Sequence, residues 1–153
     1  MVLAGKINKL LVNMIDSKGG SAVGLCGIDG GMMQAKQLNE RLGFVGEITK
    51  VDPNLVTDLL EKGYIPVIST IGCDKEGQIY NINADTAAAK LAGALKAESL
   101  ILMTDTSGIL MDQENPSSII SKIASEQLPE LTEKGIITEG MIPKAECCVD
   151  ALQ

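Results

Sequence analysis

The central part of the sequence alternates short apolar runs with one alanine-rich segment, and this order constrains the fold more than any other feature. The run I-P-V-I-S-T-I at residues 65–71 is nearly all apolar, residues 86–96 repeat apolar side chains at helical spacing, and residues 99–103 are apolar again. Such runs are typical of buried parallel strands, and a strand–helix–strand order gives a right-handed crossover. The sequence therefore predicts an α/β protein whose residues 99–103 form a buried strand.

Further elements are predicted on both sides of this unit. They are a helix at residues 1–18, a strand at 21–26 joined through the turn G-I-D-G-G to residues 32–36 as a hairpin, an extended segment at 44–51, and helices near 125–134 and from 140 onward. No repeat, linker or low-complexity segment divides the chain, and 153 residues suit one domain.

Composition excludes several classes of function. A net charge of −7 without a run of Lys or Arg, with one Phe, two Tyr and no Trp, argues against a nucleic-acid partner. No apolar stretch approaches the roughly 20 residues that span a bilayer, and the start does not resemble a signal peptide, so an intracellular protein is expected. The absence of His excludes Ser-His-Asp and Cys-His catalysis and a typical zinc set. The four cysteines are expected to be reduced thiols, although the adjacent Cys147 and Cys148 leave a redox role open.

Polar side chains follow a predicted strand at N-I-N-A-D, residues 81–85. Asn83 or Asp85 could simply cap the helix that begins there. A helix N-terminus at the end of a parallel strand is also a common binding place for anions, so both interpretations stay open.

Two other segments carry candidate chemistry. The segment T-D-T-S-G-I-L at residues 104–110 has the hydroxyls, carboxylate and glycine to approach a nucleotide, and G-M-I-P-K at 140–144 places Lys144 one turn into the last helix. Alone, the first is a loop and the second a surface lysine. The common phosphate-binding motifs G-x-x-x-x-G-K-[ST] and G-x-G-x-x-G are absent.

Taken in order, these segments resemble the acetylglutamate kinases of the amino acid kinase family. The similarity also includes G-K-I-N-K, A-V-G-L, L-G-F-V-G-E-I, G-Y-I-P-V-I-S-T-I-G and I-I-T-E-G-M-I-P-K, and so runs through nearly the whole chain. It implies an open three-layer α/β/α sandwich with a mainly parallel sheet. The implied reaction moves the γ-phosphoryl group of ATP to the side-chain carboxylate of N-acetyl-L-glutamate, a step of arginine biosynthesis.

The resemblance also implies roles for individual residues. Lys144 would contact the ATP phosphates, Asp85 would hold the catalytic lysines, and Asn81 would bind N-acetylglutamate. The nucleotide-binding portion would cover about residues 65–153. Its expected contacts are Asp105, Thr106, Ser107, Gly108, Ile109, Leu110, Ile136, Ile137 and Thr138.

The same resemblance implies ATP with Mg²⁺ as co-substrate and no protein-bound metal or prosthetic group. It further implies a homo-oligomer and a cytoplasmic or plastid location. The ending G-M-I-P-K-A-E-C-C is most similar to versions from photosynthetic lineages, which are often inhibited by arginine and bound by a PII-type signal protein.

The sequence also departs from the family pattern. The K-L-G-G loop, the G-G-G loop and the substrate-binding Arg have no counterpart, so a single partial domain lacking its N-terminal part and distal C-terminus is expected. A non-catalytic nucleotide-binding or regulatory module, or another amino acid kinase, remains an alternative to acetylglutamate kinase activity.

Overall fold

The structure is a computed structural model that describes residues 2–105, 108–112, 114–115, 117–137 and 141–151. It begins with a π-helix, Val2–Ile7, which leads directly into helix α1, Asn8–Asp16. The predicted N-terminal helix is therefore confirmed. None of the helices in the described ranges has both the length and the apolar character needed to cross a membrane.

In the described ranges, six strands form two sheets. Strands β1 (Ala22–Cys26) and β4 (Ile65–Ser69) make a parallel pair in which Gly24 lies opposite Val67. The second sheet has the order β3-β2-β5-β6 and contains β2 (Met33–Gln37), β3 (Gly46–Val51), β5 (Ile71–Cys73) and β6 (Ile79–Asn81). Its β2–β5 pair is parallel, whereas β2–β3 and β5–β6 are antiparallel. The α/β class with parallel strands is confirmed.

The predicted hairpin between residues 21–26 and 32–36 is wrong. β1 pairs with β4, and β2 pairs with β3 and β5, so the G-I-D-G-G turn carries the chain from one sheet to the other. The turn is held by Asp29, whose carboxylate accepts the Cys26 N–H at 2.8 Å. Local turn residues cannot specify which strand becomes the partner, because pairing is chosen by side-chain burial elsewhere in the chain.

Four further α-helices lie in the described ranges, one between β3 and β4 and three after β6. They are α2 (Asn54–Glu61), α3 (Ala84–Leu95), α4 (Leu128–Glu133) and α5 (Ile142–Asp150). Proline lies in the first turn of α4 and of α5, where its missing N–H would have had no helical partner. The helices predicted near 86–96, 125–134 and beyond 140 are all confirmed.

The main core lies between the second sheet, α2 and α3. It consists of the buried side chains of Met32, Met33, Ala35, Val56, Tyr80, Ile82 and Ala87, with Leu25, Ile48, Ile68 and Leu91 packed around them. This core is mainly aliphatic. Its alanines allow α3 to approach the sheet closely.

Residues 99–103 differ most from the prediction, because they form no strand and are not buried. The side chains of Ile101 and Met103 are 83% and 90% exposed. An apolar run becomes a buried strand only where a neighbouring strand accepts its backbone hydrogen bonds, and nothing in the run itself supplies that neighbour. The predicted crossover that was to end in this strand is wrong for the same reason.

Gly27 is expected to tolerate no side chain. A Cβ atom there would lie 2.4 Å from the backbone oxygen of Ile71 and 2.8 Å from the Cβ of Met33. We expect Gly27→Ala to lower the free energy of unfolding by about 3 kcal/mol, since relief would require moving backbone. Gly93→Ala is the control, because a Cβ there meets nothing within 4 Å on helix α3. It should stabilise by about 0.5–1 kcal/mol. Urea titration measures the free energy of unfolding of both variants. Changes of the same sign in the two variants would contradict the expectation.

Candidate functional site

The N-terminus of α3 shows which residue of the N-I-N-A-D segment caps the helix. Asn83 is the capping residue, since its side-chain oxygen accepts the backbone N–H of Thr86 at 3.1 Å. Asp85 lies in the first turn and does not cap the helix. Its carboxylate is therefore available for another partner, while its position near the helix N-terminus favours a negative charge.

That partner is Lys144. Its ammonium group donates a hydrogen bond to Oδ2 of Asp85 at 2.6 Å, across 59 residues of sequence. Both side chains are about three-quarters buried, at 25% exposure for Asp85 and 27% for Lys144. Charge-assisted bonds of this length are among the stronger hydrogen bonds in proteins, and partial shelter from water strengthens them further. The structure thus brings together the two residues expected to be catalytic.

Helices α3 and α5 lie side by side and run in the same direction. Beyond the Asp85–Lys144 pair, Oγ1 of Thr86 lies 3.9 Å from Sγ of Cys147, and Lys90 forms an ion pair of 3.2 Å with Asp150. The contacts advance along both helices together, which requires a parallel arrangement. Both helix N-termini therefore point to the same side, where their dipoles favour an anion such as a phosphate group.

The cysteines of α5 are poorly suited to act as nucleophiles. Cys147 is buried against Thr86, and Cys148 is a free thiol on the exposed side. Desolvation raises the pKa of Cys148, the charges of Cys147 and Asp85 raise it further, and Lys144 offsets only part of this. A raised pKa keeps the thiol protonated near neutral pH, and the thiolate is the reactive form. All four cysteines are free in the structure, at Cys26, Cys73, Cys147 and Cys148.

Asn81 is the last residue of β6 and the first residue of the N-I-N-A-D segment, whereas Asp85 of the ion pair is the last residue of that segment. Its backbone N–H donates to the oxygen of Phe44 at 2.8 Å. Asn81 lines an open cavity of about 460 Å³ together with Val2, Leu3, Phe44, Ile71, Gln78 and Ile79. A small acyl-amino acid would fit a space of this size.

The turn before β6 is fixed by Asp74. Its carboxylate accepts hydrogen bonds from the N–H groups of Glu76 and Gln78 and from the hydroxyl of Tyr80. Partial desolvation raises the pKa of Asp74, but these hydrogen bonds outweigh it and hold the pKa below its ordinary value. The bond to Asp74 in turn raises the pKa of Tyr80. The anchored turn holds β6, and so Asn81, in place.

The residues expected to bind nucleotide lie in two segments. In the first, Asp105 is exposed, Gly108 has a φ of 135°, and the oxygen of Ile109 accepts the N–H of Ile120 at 2.8 Å. Leu110 forms a single antiparallel bridge with Ile119. In the second, Ile137 is buried and Ile136 donates its N–H to the oxygen of Leu131. Thr106, Ser107 and Thr138 lie outside the described residues.

Sequence reasoning missed one residue of the candidate site and one contact that joins its two helices away from the site. Phe44, the only phenylalanine of the chain, lines the cavity of Asn81, and its rarity in the sequence was the available signal. The Lys90–Asp150 pair, which also joins α3 to α5, gave no signal, because an isolated Lys and an isolated Asp on helix surfaces are common.

Comparison with known proteins is consistent with this arrangement. The model of the amino acid kinase family matches residues 1–153. The acetylglutamate kinase of Heliobacterium modesticaldum is 53% identical over 165 residues, which cover 100% of this chain. The chain belongs to the amino acid kinase family.

Two further proteins, one curated relative and one solved structure, are also similar to this chain. The acetylglutamate kinase of Gloeobacter violaceus is 54% identical over 157 residues and 99% of this chain. The crystal structure of smu.665 from Streptococcus mutans superposes with a TM-score of 0.84 at 32% identity, covering 98% of this chain and 60% of that one. The matches cover 56% and 52% of the two acetylglutamate kinases. The chain therefore spans about half the length of the curated relatives it matches.

Proposed function

We propose that this chain is part of an acetylglutamate kinase and carries its nucleotide-binding portion at about residues 65–153. In the proposed reaction a side-chain carboxylate oxygen of N-acetyl-L-glutamate attacks the γ-phosphorus of ATP, the bond to the bridging oxygen breaks, and ADP leaves. The product is the acyl phosphate N-acetyl-L-glutamyl 5-phosphate. The observation that carries the proposal is the Asp85–Lys144 ion pair at the shared N-terminal end of α3 and α5.

Lys144 has the proposed role of binding the ATP phosphates and stabilising the charge on the transferred oxygens. Phosphoryl transfer is accelerated mainly by positioning and charge neutralisation, so one well-placed ammonium group has a large effect. Asp85 holds that ammonium group in place. A carboxylate has two oxygens, and could hold a second cation as well.

The remaining site residues have proposed binding roles. Asn81 and the cavity it lines would take the acyl acceptor, while the nucleotide would lie along residues 105–110 and 136–138. The described residues contain no cluster of three or more Asp, Glu, Cys or His that could hold a metal ion. Mg²⁺ in this proposal is the ion carried by the phosphates of ATP, where it neutralises their charge.

The proposal extends to pathway, location and partners. We propose a role in arginine biosynthesis in the cytoplasm or the plastid stroma, assembly as a homo-oligomer and regulation by a PII-type signal protein. The names of the relatives support the pathway. The location, the oligomer and the signal protein follow from the family resemblance, and the ending G-M-I-P-K-A-E-C-C supports the signal protein.

Trapping of the acyl phosphate with hydroxylamine tests the reaction. We expect hydroxamate to form with ATP and N-acetyl-L-glutamate, and none with L-aspartate in its place. Hydroxamate formation from L-aspartate would contradict the proposed acceptor.

A non-catalytic nucleotide-binding module is the second candidate, because the Asp85–Lys144 pair would serve phosphate binding with or without catalysis. Thermal unfolding with a non-hydrolysable ATP analogue separates the two. Stabilisation by the analogue without hydroxamate formation supports the module, since a ligand that binds only the folded state raises its stability. Absence of stabilisation at millimolar analogue would exclude both candidates for the chain on its own.

A further inference from the structure

The thiol of Cys147 ends a short chain of hydrogen bonds that begins at the N-cap of α3. Oδ1 of Asn83 accepts the backbone N–H of Thr86 at 3.1 Å and the hydroxyl of Thr86 at 3.3 Å. A backbone N–H can only donate, so the Asn83 atom that faces Thr86 is the oxygen and not the amide nitrogen. The hydroxyl that meets the same oxygen must therefore donate as well.

The contact between Thr86 and Cys147 then has a single direction. Oγ1 of Thr86 lies 3.9 Å from Sγ of Cys147, and taken alone either atom could be the donor. A threonine hydroxyl carries one proton, and here that proton is directed at Asn83. The S–H group of Cys147 is therefore the donor, and Oγ1 of Thr86 accepts it.

Both residues of this contact lie next to the Asp85–Lys144 pair. Thr86 directly follows Asp85 on α3, and Cys147 lies three residues after Lys144 on α5. Residues three apart in a helix lie on the same face, so Lys144 and Cys147 both face α3. Cys147 is 8% exposed, which makes its contact the most sheltered of the side-chain contacts described between the two helices.

The ion pairs between the helices fix the position of α5 only incompletely. The long, flexible stem of Lys144 lets its ammonium group reach Asp85 from several positions of the helix. The Lys90–Asp150 pair is nearly half exposed on both sides, and such pairs contribute little. Cys147 and Thr86 are short side chains, so their contact restricts the rotation of α5 against α3 more tightly than either ion pair.

We infer that Cys147 is a positioning residue for Lys144. Its thiol donates to Thr86, holds α5 at one rotation against α3, and thereby sets the direction in which the Lys144 ammonium group meets phosphate. Cys147 itself touches no nucleotide in this role. The inference rests on the proposed function of Lys144 in binding the ATP phosphates.

Calorimetric titration with a non-hydrolysable ATP analogue tests the role of the thiol. We expect Cys147→Ala to weaken binding about three- to tenfold, the effect of one ordinary hydrogen bond. Cys147→Ser restores a donor and should bind within about twofold of the original chain. Cys148→Ala is the matched control, because it makes the same change at the next residue, on the exposed side of α5, and should also bind within about twofold. Equal affinities for Cys147→Ala and Cys148→Ala, or no recovery with serine, would overturn the inference.

Two further variants show whether the thiol acts through its named partners. Thr86→Val keeps the shape of the side chain but removes the acceptor, so it should lose as much affinity as Cys147→Ala, and it also serves as the test if Cys147→Ala does not fold. In a Lys144→Met background, Cys147→Ala should cause no further loss, because a positioning residue has nothing left to position. A full additional loss in that background would overturn the inference.

A measurement without nucleotide separates this inference from the proposed function. The NMR signal of the Lys144 ammonium group, assigned by its absence from Lys144→Met, reports how well the pair with Asp85 is sheltered. We expect its proton exchange to become at least about threefold faster in Cys147→Ala. Faster exchange in a chain that does not bind the analogue would support the positioning role and contradict the proposed function. Unchanged exchange would overturn the positioning role, and binding of the analogue by the original chain would then still support the proposed function.

Discussion

Replacing Lys144 with methionine is expected to weaken binding of a non-hydrolysable ATP analogue by about 10- to 100-fold. A charge-assisted hydrogen bond contributes roughly 1.5–3 kcal/mol, which corresponds to that range of affinity. The substitution also leaves Asp85 without its partner at 2.6 Å, so an uncompensated carboxylate then repels the phosphates. Isothermal titration calorimetry of the original 153-residue chain and of the Lys144→Met variant measures the change in affinity for the analogue.

Lys90→Met is the matched control for this experiment. It removes the same charge and also breaks an ion pair between α3 and α5, the 3.2 Å contact with Asp150. That pair is nearly half exposed on both sides and lies beyond the N-terminal turns, so affinity should stay within about twofold. If both variants lost affinity equally, Lys144 would act by joining the two helices and not by contacting phosphate.

Replacing Asn8 with aspartate is expected to lower the free energy of unfolding at pH 7 by about 3–5 kcal/mol. Asn8 is 3% exposed, and its amide nitrogen donates to the backbone oxygens of Leu25 and Val67 and to Oγ of Ser69. These bonds connect α1 to both strands of the parallel sheet. A carboxylate of the same shape donates nothing, and it would place a buried negative charge against two carbonyl oxygens.

The loss should depend on pH in a defined direction. Burial raises the pKa of the introduced carboxyl group in the folded state above its unfolded value. The folded state then binds the proton more tightly, so the deficit grows as pH rises above the unfolded pKa and is smaller near pH 4. Urea titrations at pH 7 and near pH 4 measure the deficit in the free energy of unfolding.

Asn39→Asp serves as the control for the Asn8 substitution. Asn39 is exposed and uses only its side-chain oxygen, which accepts the N–H of Arg41 at 2.8 Å. Aspartate can accept the same bond, so the change should stay within about 0.5 kcal/mol. A deficit for Asn8→Asp that matched this control, or that did not vary with pH, would contradict the role given to the Asn8 amide.

Most residues of the candidate site could be named from the sequence, because they lie in short motifs that follow one another in a specific order along the chain. The N-I-N-A-D segment predicted a helix start with candidate carboxylate chemistry, and G-M-I-P-K predicted a helix with a lysine one turn in. The structure brings the two segments together through the Asp85–Lys144 contact, while the roles of the two residues stay predictions. The choice between Asn83 and Asp85 as the cap could not be made in advance, because either side chain can accept a backbone N–H.

Local pattern alone determined most helices and strands of this protein, because helical spacing, apolar runs and proline at a helix start act within a few residues. Tertiary structure alone decided which strands pair, as in the separation of β1 from β2 into different sheets. It also decided that residues 99–103 stay unpaired, despite an apolar sequence that predicts a buried strand. The reason is the same in both cases. A strand satisfies its backbone through residues distant in sequence, so its own residues specify a preference for burial but not the partner that provides it.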